Sequence, residues 1–170
     1  MDQNNHTLDI GCGQFCLGGA IGIDRKKYPA VKYVHDLNVA PWPVEETFTY
    51  MRCQHVIEHI TNLEVLVSEI FRLAENGCIV HFITPHFSSS ASWGDPTHIH
   101  HFSLSSIPQL FDMVLGKEKF VLLKNEIKFN GSIFELIGWL ICRVSPKKYE
   151  KYFAWRHPAN EINTVIRIVK

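Results

Sequence analysis

The segment TLDIGCGQFCLGGAIGID, residues 7–24, holds two short apolar runs that end in different ways. The first run, Thr7 to Ile10, leads into Gly11-Cys12-Gly13, and the second, Ala20 to Ile23, stops at Asp24. Short apolar runs that close on a glycine turn or an acidic residue are typical of buried parallel strands whose carboxyl ends face a ligand. The segment therefore predicts two strands of an α/β sheet with a ligand site at their ends.

The connection between these two strands is unusually short. Six residues, Gln14 to Gly19, lie between the glycine turn and the second run. A crossover between parallel strands normally takes a dozen or more residues, most often as a helix. We therefore expect a truncated first crossover, with one helical turn or a loop in place of the helix.

Further apolar runs predict the rest of the sheet, and amphipathic segments predict its helices. The other predicted strands are 31–35 (ending at Asp36), 48–53, 78–84 (stopped by Pro85), 120–129 and 164–169. The predicted helices are 62–74, with Thr61 and Glu64 as a capping box and Asn76-Gly77 at its end, then 103–113 with Ser103 as its cap, 133–144 and 147–155. Alternating strands and helices indicate one α/β domain, residues 1–170, with an extra C-terminal helical insertion before the last strand.

The composition excludes several classes of protein. Seventeen basic residues balance seventeen acidic ones, so no overall field favours nucleic acid, and nucleic-acid binding is not expected. Five cysteines are an odd set, and three of them lie in apolar runs, which favours reduced thiols and a cytoplasmic setting. The first seven residues are polar, and the longest apolar stretch, 133–144, is shorter than a membrane span.

The three strand ends carry a set of groups suited to one ligand. Gly11 and Gly13 allow the backbone to approach a ligand closely, because neither has a Cβ atom. Asp24 is placed to accept hydrogen bonds from two ribose hydroxyls, and Asp36 could bind an adenine amino group. Together they indicate an adenosine-containing ligand, and the alternative is three unrelated strand-end residues.

At this point the sequence resembles a known family. LDIGCG at 8–13, GID at 22–24, HDLNVAPWP at 35–43, HVIEHI at 55–60 and ENGCIVHFITPH at 75–86 are similar, in order and spacing, to motifs of class I S-adenosylmethionine-dependent methyltransferases of the ubiquinone/menaquinone type. The resemblance covers residues 7–102, and the remainder matches only loosely. It implies a Rossmann-like, mainly parallel sheet with flanking helices.

The resemblance also implies roles for particular residues. It places Asp9, Gly11 and Gly13 around the methionine moiety, Asp24 at the ribose, Asp36 and Leu37 at the adenine, and Gln54 and His55 beside the sulfonium. Cys12 and Arg25 complete the predicted set of cofactor-binding residues. The third glycine of the family's usual pattern is missing, and the chain begins almost at the first strand, without the helix that often covers the cofactor. We therefore expect an open site, or one that another chain completes.

A histidine cluster supplies the catalytic candidates, which are His55, Glu58, His59 and His98. The H-x-x-E-H pattern of 55–59 would place its polar residues on one face of a helix, and it also occurs in some metallopeptidases, which are much larger. The resemblance implies that relatives with E-x-x-E-H here bind a divalent ion. No metal is assigned, although these same four residues could hold one, and the alternative is that Glu58 and His59 cap the helix. The loop 86–101 is expected to form an acceptor-side lid, with His98 or His100 as a general base.

The C-terminal part combines an apolar segment, 133–144, with a basic and aromatic one, 147–155. Such a pair could lie at a membrane surface, line a pocket for a lipid-linked acceptor, or meet a nucleic-acid backbone. We expect instead a helical pair that buries its face in the domain or in a homodimer.

The predicted function is therefore S-adenosylmethionine-dependent methyl transfer to a hydroxylated, sugar-like or lipid-linked acceptor, either a small molecule or carried on lipid. The alternative is a non-catalytic S-adenosylmethionine-fold binding subunit that needs a partner chain. An NAD-dependent enzyme fits the glycine spacing less well.

Overall fold

The fold is organised around one mixed sheet, and the computed structural model describes residues 6–131 and 133–170. Its strands are β1 (Thr7–Ile10), β2 (Ile21–Asp24), β3 (Val31–Val34), β4 (Phe48–Gln54), β5 (Ala74–Pro85), β6 (Phe120–Lys128) and β7 (Glu161–Ile168). They lie in the order β3-β2-β1-β4-β5-β7-β6, and β7 is antiparallel to both of its neighbours. The pairs from β3 to β5 are all parallel, which confirms the mainly parallel α/β sheet.

One face of the central strands is apolar and is buried against helices, whereas the other face carries polar side chains such as Asp9, Arg52 and His81. Leu8 and Ile10 of β1, Met51 of β4, and Val80 and Phe82 of β5 are all fully buried. The edge strand β3 instead alternates between half-buried and exposed positions. Gly11 and Gln54 therefore lie at the ends of central strands, whereas Asp36 follows the edge strand.

In residues 6–131 and 133–170, five α-helices and two 3₁₀ turns accompany the sheet. The helices are α1 (Leu63–Leu73), α2 (Ser90–Gly94), α3 (Ser106–Leu115), α4 (Ile133–Val144) and α5 (Pro146–Tyr152), and the 3₁₀ turns are Ile57–His59 and Lys117–Lys119. The predicted apolar face of α1 is confirmed, since Leu66, Val67 and Ile70 are fully buried. None of the helices in the described ranges is long and apolar enough to cross a membrane.

The predicted caps of α1 were wrong at both ends. Asn62, not Thr61, is the N-cap, and its side chain accepts a hydrogen bond from the backbone of Val65 at 3.2 Å. Thr61 is not available because its amide and hydroxyl both donate to the Asn38 side chain at 2.8 Å. The helix ends at Leu73, before Asn76-Gly77, and Gly77 takes its left-handed conformation (φ +88°) inside β5, where the register against β4 shifts.

Other boundaries also differ from the prediction. Helix α3 begins at Ser106, because Ser103 hydrogen-bonds to the Ser106 hydroxyl instead of capping a helix. Strand β7 begins at Glu161 rather than at 164, because its ladder with β5 continues as far as Pro85. The loop 86–101 contains the short helix α2, and α5 ends at Tyr152 rather than at 155.

Two unusual features of the topology are confirmed. Residues 11–20, all of them described, form turns without a helix, so the first crossover is a loop. Helices α4 and α5 form an insertion between β6 and β7, as predicted. They pack on a small cluster of their own, which is separate from the main core and is made by Ile127, Cys142, Tyr149, Ala154 and Ala159.

Candidate functional site

Three cavities open side by side along the carboxyl edge of the sheet, and His55 lines all of them. We name them by one residue each: the Asp24 cavity, the Cys12 cavity and the Glu58 cavity. The Asp24 cavity has a volume of about 200 Å³. It is lined by Gly11, Asp24, Arg25, Asp36, Leu37, Asn38, His55, Val56, His59 and Ile60.

The glycine turn after β1 shapes the Asp24 cavity. Gly11 adopts φ +64° and Gly13 φ +55°, a region that favours glycine. A Cβ atom on Gly11 would lie 2.3 Å from Val56 Cγ2, so only glycine lets the turn pack this closely. The turn also aims the Gly13 amide at Asp24 Oδ2, to which it donates at 2.9 Å.

Two carboxylates face the Asp24 cavity, as predicted. Asp24 accepts hydrogen bonds from the Gly13 and Lys26 amides, which fix its position and leave lone pairs for hydroxyl donors. Asp36 accepts from the backbone and side chain of Asn38, and these bonds lower the pKa of Asp36. Both groups are therefore suited to accept hydrogen bonds from a polar ligand.

The Cys12 cavity, about 250 Å³, begins on the other side of Gly11. Its lining residues are Asp9, Gly11, Cys12, Phe15, Arg52, Gln54 and His55, which include five of the predicted cofactor-binding residues. Asp24, Arg25, Asp36 and Leu37 line the neighbouring cavity. Gly13 appears in neither lining, although its amide holds Asp24.

Asp9 is engaged by the protein itself. Its carboxylate accepts Arg52 Nε at 2.9 Å and Arg52 Nη2 at 2.6 Å, and the Leu17 amide donates to it at 2.8 Å. The Leu17 bond fastens the loop that replaces the first crossover helix. Asp9 is almost fully buried, so this ion pair supplies the counter-charge that a buried carboxylate needs.

Arg52 was missed by the sequence analysis. Besides Asp9 it holds Gln54 Oε1 at 3.2 Å and the Phe15 carbonyl at 3.3 Å, so it organises one wall of the Cys12 cavity. Asp9 raises the pKa of Arg52. The available signal was a lone basic residue within an apolar strand, FTYMRCQ, since a charge inside a sheet requires a partner.

All five cysteines are free thiols in the structure. Burial raises the pKa of Cys12 to about 12, and burial also raises the pKa of Cys16. Donor atoms of Asp9, Cys12 and Cys16 lie within 4.8 Å of one another. Because Arg52 already neutralises the Asp9 carboxylate, this group is poorly suited to bind a metal ion.

The Glu58 cavity, about 590 Å³, contains the remaining predicted residues, including His98 from the loop after β5. That loop is held in place because the Ile99 and His100 amides donate to the Glu58 carbonyl, at 2.9 and 3.2 Å. The cavity is lined by His55, Glu58, His59, Pro85, Ala91, Gly94, Asp95, Pro96, His98, Asn160 and Glu161. Glu161 was missed because the last strand was predicted to begin three residues later.

Glu58 is buried with one oxygen unsatisfied. Its Oε2 accepts the Thr84 hydroxyl at 3.0 Å, whereas Oε1 has no hydrogen-bond partner among the described residues. The nearest imidazole atoms are His55 Nδ1 at 3.5 Å and His98 Nε2 at 4.0 Å. A buried unsatisfied carboxylate oxygen is costly, so this atom marks a point at which a ligand could be held.

His55 sits between two carboxylates in a strained conformation. Its φ of +53° is left-handed, and its Nε2 lies 3.2 Å from Glu161 Oε1. The Glu58 carboxylate contributes most to raising the pKa of His55. Residues 55–59 do not form one helical face, because His55 precedes the 3₁₀ turn of Ile57–His59. The side chains of His55, Glu58 and His59 meet instead in the wall of the Glu58 cavity.

A divalent metal ion fits part of the predicted set. Donor atoms of Glu58, His59 and His98 lie within 4.8 Å of one another, and the unsatisfied Glu58 Oε1 is 4.0 Å from His98 Nε2. His55 is not in this group. One carboxylate and two imidazoles suit ions such as Zn²⁺, Co²⁺ or Ni²⁺ better than Mg²⁺.

Comparison with known proteins supports the fold. No protein-family model and no curated protein matches the chain. The solved structures that it resembles include an S-adenosylmethionine-dependent methyltransferase from Mesorhizobium loti (TM-score 0.62, 12% identity, 98% of this chain and 93% of that one) and one from Archaeoglobus fulgidus (TM-score 0.61, 16% identity, 97% and 86%). A third is a chain from a complex between the Haloferax volcanii methyltransferase activator Trm112 and a protein assigned as a methyltransferase (TM-score 0.65, 11% identity, 99% and 84%). The chain therefore has the Rossmann-like α/β fold of S-adenosylmethionine-dependent methyltransferases.

Proposed function

We propose that this protein binds S-adenosylmethionine across the Asp24 and Cys12 cavities and transfers its methyl group to a hydroxyl oxygen of an acceptor in the Glu58 cavity. The observation that carries the proposal is the position of His55, which lines all three cavities. A methyl group delivered beside His55 would be within reach of an acceptor on the far side of the same side chain. The likeness of the fold to methyltransferases agrees with this arrangement.

Binding is assigned to the strand ends. Asp24, assisted by Arg25, takes the ribose hydroxyls, and Asp36 takes the adenine amino group, with Leu37 against the ring. Gly11, Cys12 and Gly13 form the turn beside the methionine moiety, while Asp9 keeps that turn in place through Leu17 and Arg52. Gln54 and His55 complete the wall next to the sulfonium.

S-adenosylmethionine, when bound, supplies an electrophilic methyl group. Transfer of that methyl group to an acceptor oxygen would release S-adenosylhomocysteine, and the imidazole of His55 would accept the hydroxyl proton. Glu58 and Glu161 flank that imidazole and stabilise its protonated form. His59 and His98 position the hydroxyl, so most of the rate enhancement comes from alignment of donor and acceptor.

The proposal also includes a divalent metal ion bound by Glu58, His59 and His98. It rests on the unsatisfied Glu58 oxygen and on the proximity of the two imidazoles. A bound ion would hold the acceptor hydroxyl and lower its pKa. The acceptor class stays a prediction: hydroxylated, sugar-like or lipid-linked.

The second candidate is a binding subunit that depends on a partner chain. It is favoured by the likeness to a chain from a complex with a methyltransferase activator. Under this proposal the same cavities hold S-adenosylmethionine, but tight binding and catalysis need the partner.

Calorimetric titration of the purified protein with S-adenosylhomocysteine tests the proposal, with NAD⁺ as the control ligand. We expect a dissociation constant in the micromolar range for S-adenosylhomocysteine and no heat from NAD⁺. Binding of NAD⁺ alone would overturn the choice of cofactor. No binding of either ligand by correctly folded protein would overturn the self-contained enzyme and leave the partner-dependent subunit.

A further inference from the structure

The α4–α5 insertion presents an apolar surface for which the function proposed above has no use. Four side chains on one face of α4, namely Leu136, Ile137, Leu140 and Val144, are exposed, and Val144 is 87% exposed. Their spacing of three and four residues puts them in one stripe along the helix. A contiguous exposed apolar stripe on a protein surface usually marks an interaction site, whereas single exposed apolar residues do not.

The opposite face of the insertion is buried against the rest of the protein. Cys142 of α4 and Tyr149 of α5 are buried in the small core of the insertion, and the Tyr149 hydroxyl donates to the His157 carbonyl at 2.7 Å. The exposed stripe therefore cannot turn inward without breaking this core. A partner for this stripe therefore has to come from outside the described residues.

The same insertion also exposes cations and aromatic rings. The exposed cations of the insertion are Arg143, Lys147, Lys148, Lys151 and Arg156. Arg143 lies over the Trp139 ring at 4.8 Å and Lys151 over the Tyr152 ring at 4.8 Å. Trp155 is 68% exposed. An apolar stripe with a border of lysine, arginine and aromatic residues is the composition of a helix that lies flat in a bilayer interface.

The acidic residues of the insertion do not offset these cations. Residues 133–157 contain five Lys or Arg and two Glu, although the whole chain is neutral. One of the two, Glu150, is turned inward, where it accepts the Leu104 amide at 2.6 Å and lies 3.2 Å from His86 Nε2. The surface thus has a concentrated positive charge, and anionic lipid headgroups are complementary to it.

We propose that the α4–α5 surface docks the protein on an anionic membrane surface, with the apolar stripe inserted between headgroups and the cations at the phosphates. A symmetric contact between two copies is disfavoured, because it would bring the same five cations against each other.

The position of the surface adds a consequence for the acceptor. Trp155 lies 5.4 Å from the Phe87 ring and 6.3 Å from the Trp93 ring. Ala91 and Gly94, on either side of Trp93, line the Glu58 cavity. A docked membrane would therefore lie next to that cavity, and this consequence, unlike the docking itself, rests on the function proposed above.

Vesicle flotation tests the docking without any cofactor or acceptor. We expect the protein to float with vesicles of phosphatidylcholine and phosphatidylglycerol, to stay behind with phosphatidylcholine alone, and to be released by high salt. Replacing the stripe (Leu140→Glu with Val144→Glu) or the cations (Lys147→Glu, Lys148→Glu, Lys151→Glu) should reduce the bound fraction about tenfold or more. The matched control, Met113→Glu with Lys117→Glu on the α3 side, should float like the original protein.

Circular dichroism of every variant shows whether it is folded, and sedimentation shows its oligomeric state. Failure of the folded original protein to float with anionic vesicles would overturn the proposal. Equal flotation of the stripe variant would overturn it as well. A dimer that the stripe substitutions convert to a monomer, without vesicle binding, would assign the surface to a contact between copies. Because no S-adenosylhomocysteine is present, failure here is distinct from failure of the cofactor proposal.

Discussion

The Arg52 guanidinium forms a bidentate ion pair with the buried Asp9 carboxylate, in which Nε donates to Oδ1 at 2.9 Å and Nη2 donates to Oδ2 at 2.6 Å. This pair joins β1 to β4 in the wall of the Cys12 cavity. Removal of one partner leaves an uncompensated buried charge, which costs more than the pair itself contributes.

The first prediction follows from this pair. Arg52→Gln should lower the free energy of unfolding by about 3 kcal/mol, because Asp9 loses both charged donors. Urea denaturation, monitored by circular dichroism, measures this change in the free energy of unfolding. Lys124→Gln, which removes one of two exposed lysines that pair with Glu126 and leaves Lys128 in place, should cost less than about 1 kcal/mol. Equal effects of the two substitutions would contradict a structural role for the Asp9–Arg52 pair.

The second prediction concerns Asp24. Asp24→Asn should weaken S-adenosylhomocysteine binding by about tenfold to a hundredfold, because a charged acceptor for the ribose hydroxyls is lost. Asp112→Asn, on α3 and outside all three cavities, is the matched control and should bind like the original protein. If both variants bind equally well in calorimetry, Asp24 only holds the turn at Gly13.

The third prediction separates the two glycines of the turn. Gly11→Ala should destabilise the fold and abolish cofactor binding, because its Cβ would lie 2.3 Å from Val56 Cγ2 in addition to the cost of its positive φ. Gly13→Ala has nothing within 4 Å of its Cβ and should cost only about 1 kcal/mol for the left-handed backbone. Thermal melts with and without S-adenosylhomocysteine compare them. A larger drop in melting temperature for Gly13→Ala than for Gly11→Ala would show that the close contact with Val56 is not what requires glycine in this turn.

The fourth prediction tests metal binding by Glu58, His59 and His98. Addition of Co²⁺ to chelator-treated protein should produce visible absorption bands, and Zn²⁺ should displace them. Glu58→Gln and His98→Ala should each weaken Co²⁺ binding about tenfold or more, since each removes a ligand. Cys12→Ser, in the Asp9–Cys12–Cys16 group, should leave the spectrum unchanged. Absence of bands in the original protein, or their loss in Cys12→Ser alone, would remove the metal from this site.

The sequence alone determined which residues end the strands and therefore which polar groups collect at one edge of the sheet. Buried parallel strands are short apolar runs, and their ends are visible in a single sequence, so Gly11, Asp24 and Asp36 were found without coordinates. The short crossover and the helical insertion followed from spacing in the same way. These are local properties of the chain.

Contacts between residues distant in sequence were decided only by the tertiary structure. Arg52 is 43 residues from Asp9, and Glu161 reaches His55 from the last strand, so neither pairing leaves a local pattern. Thr61 is not the helix cap that the sequence predicted, because its amide and hydroxyl donate to the side chain of Asn38, a residue from another loop. Burial created the unsatisfied oxygen of Glu58 and left the α4 stripe exposed, since both depend on which surfaces the folded chain covers.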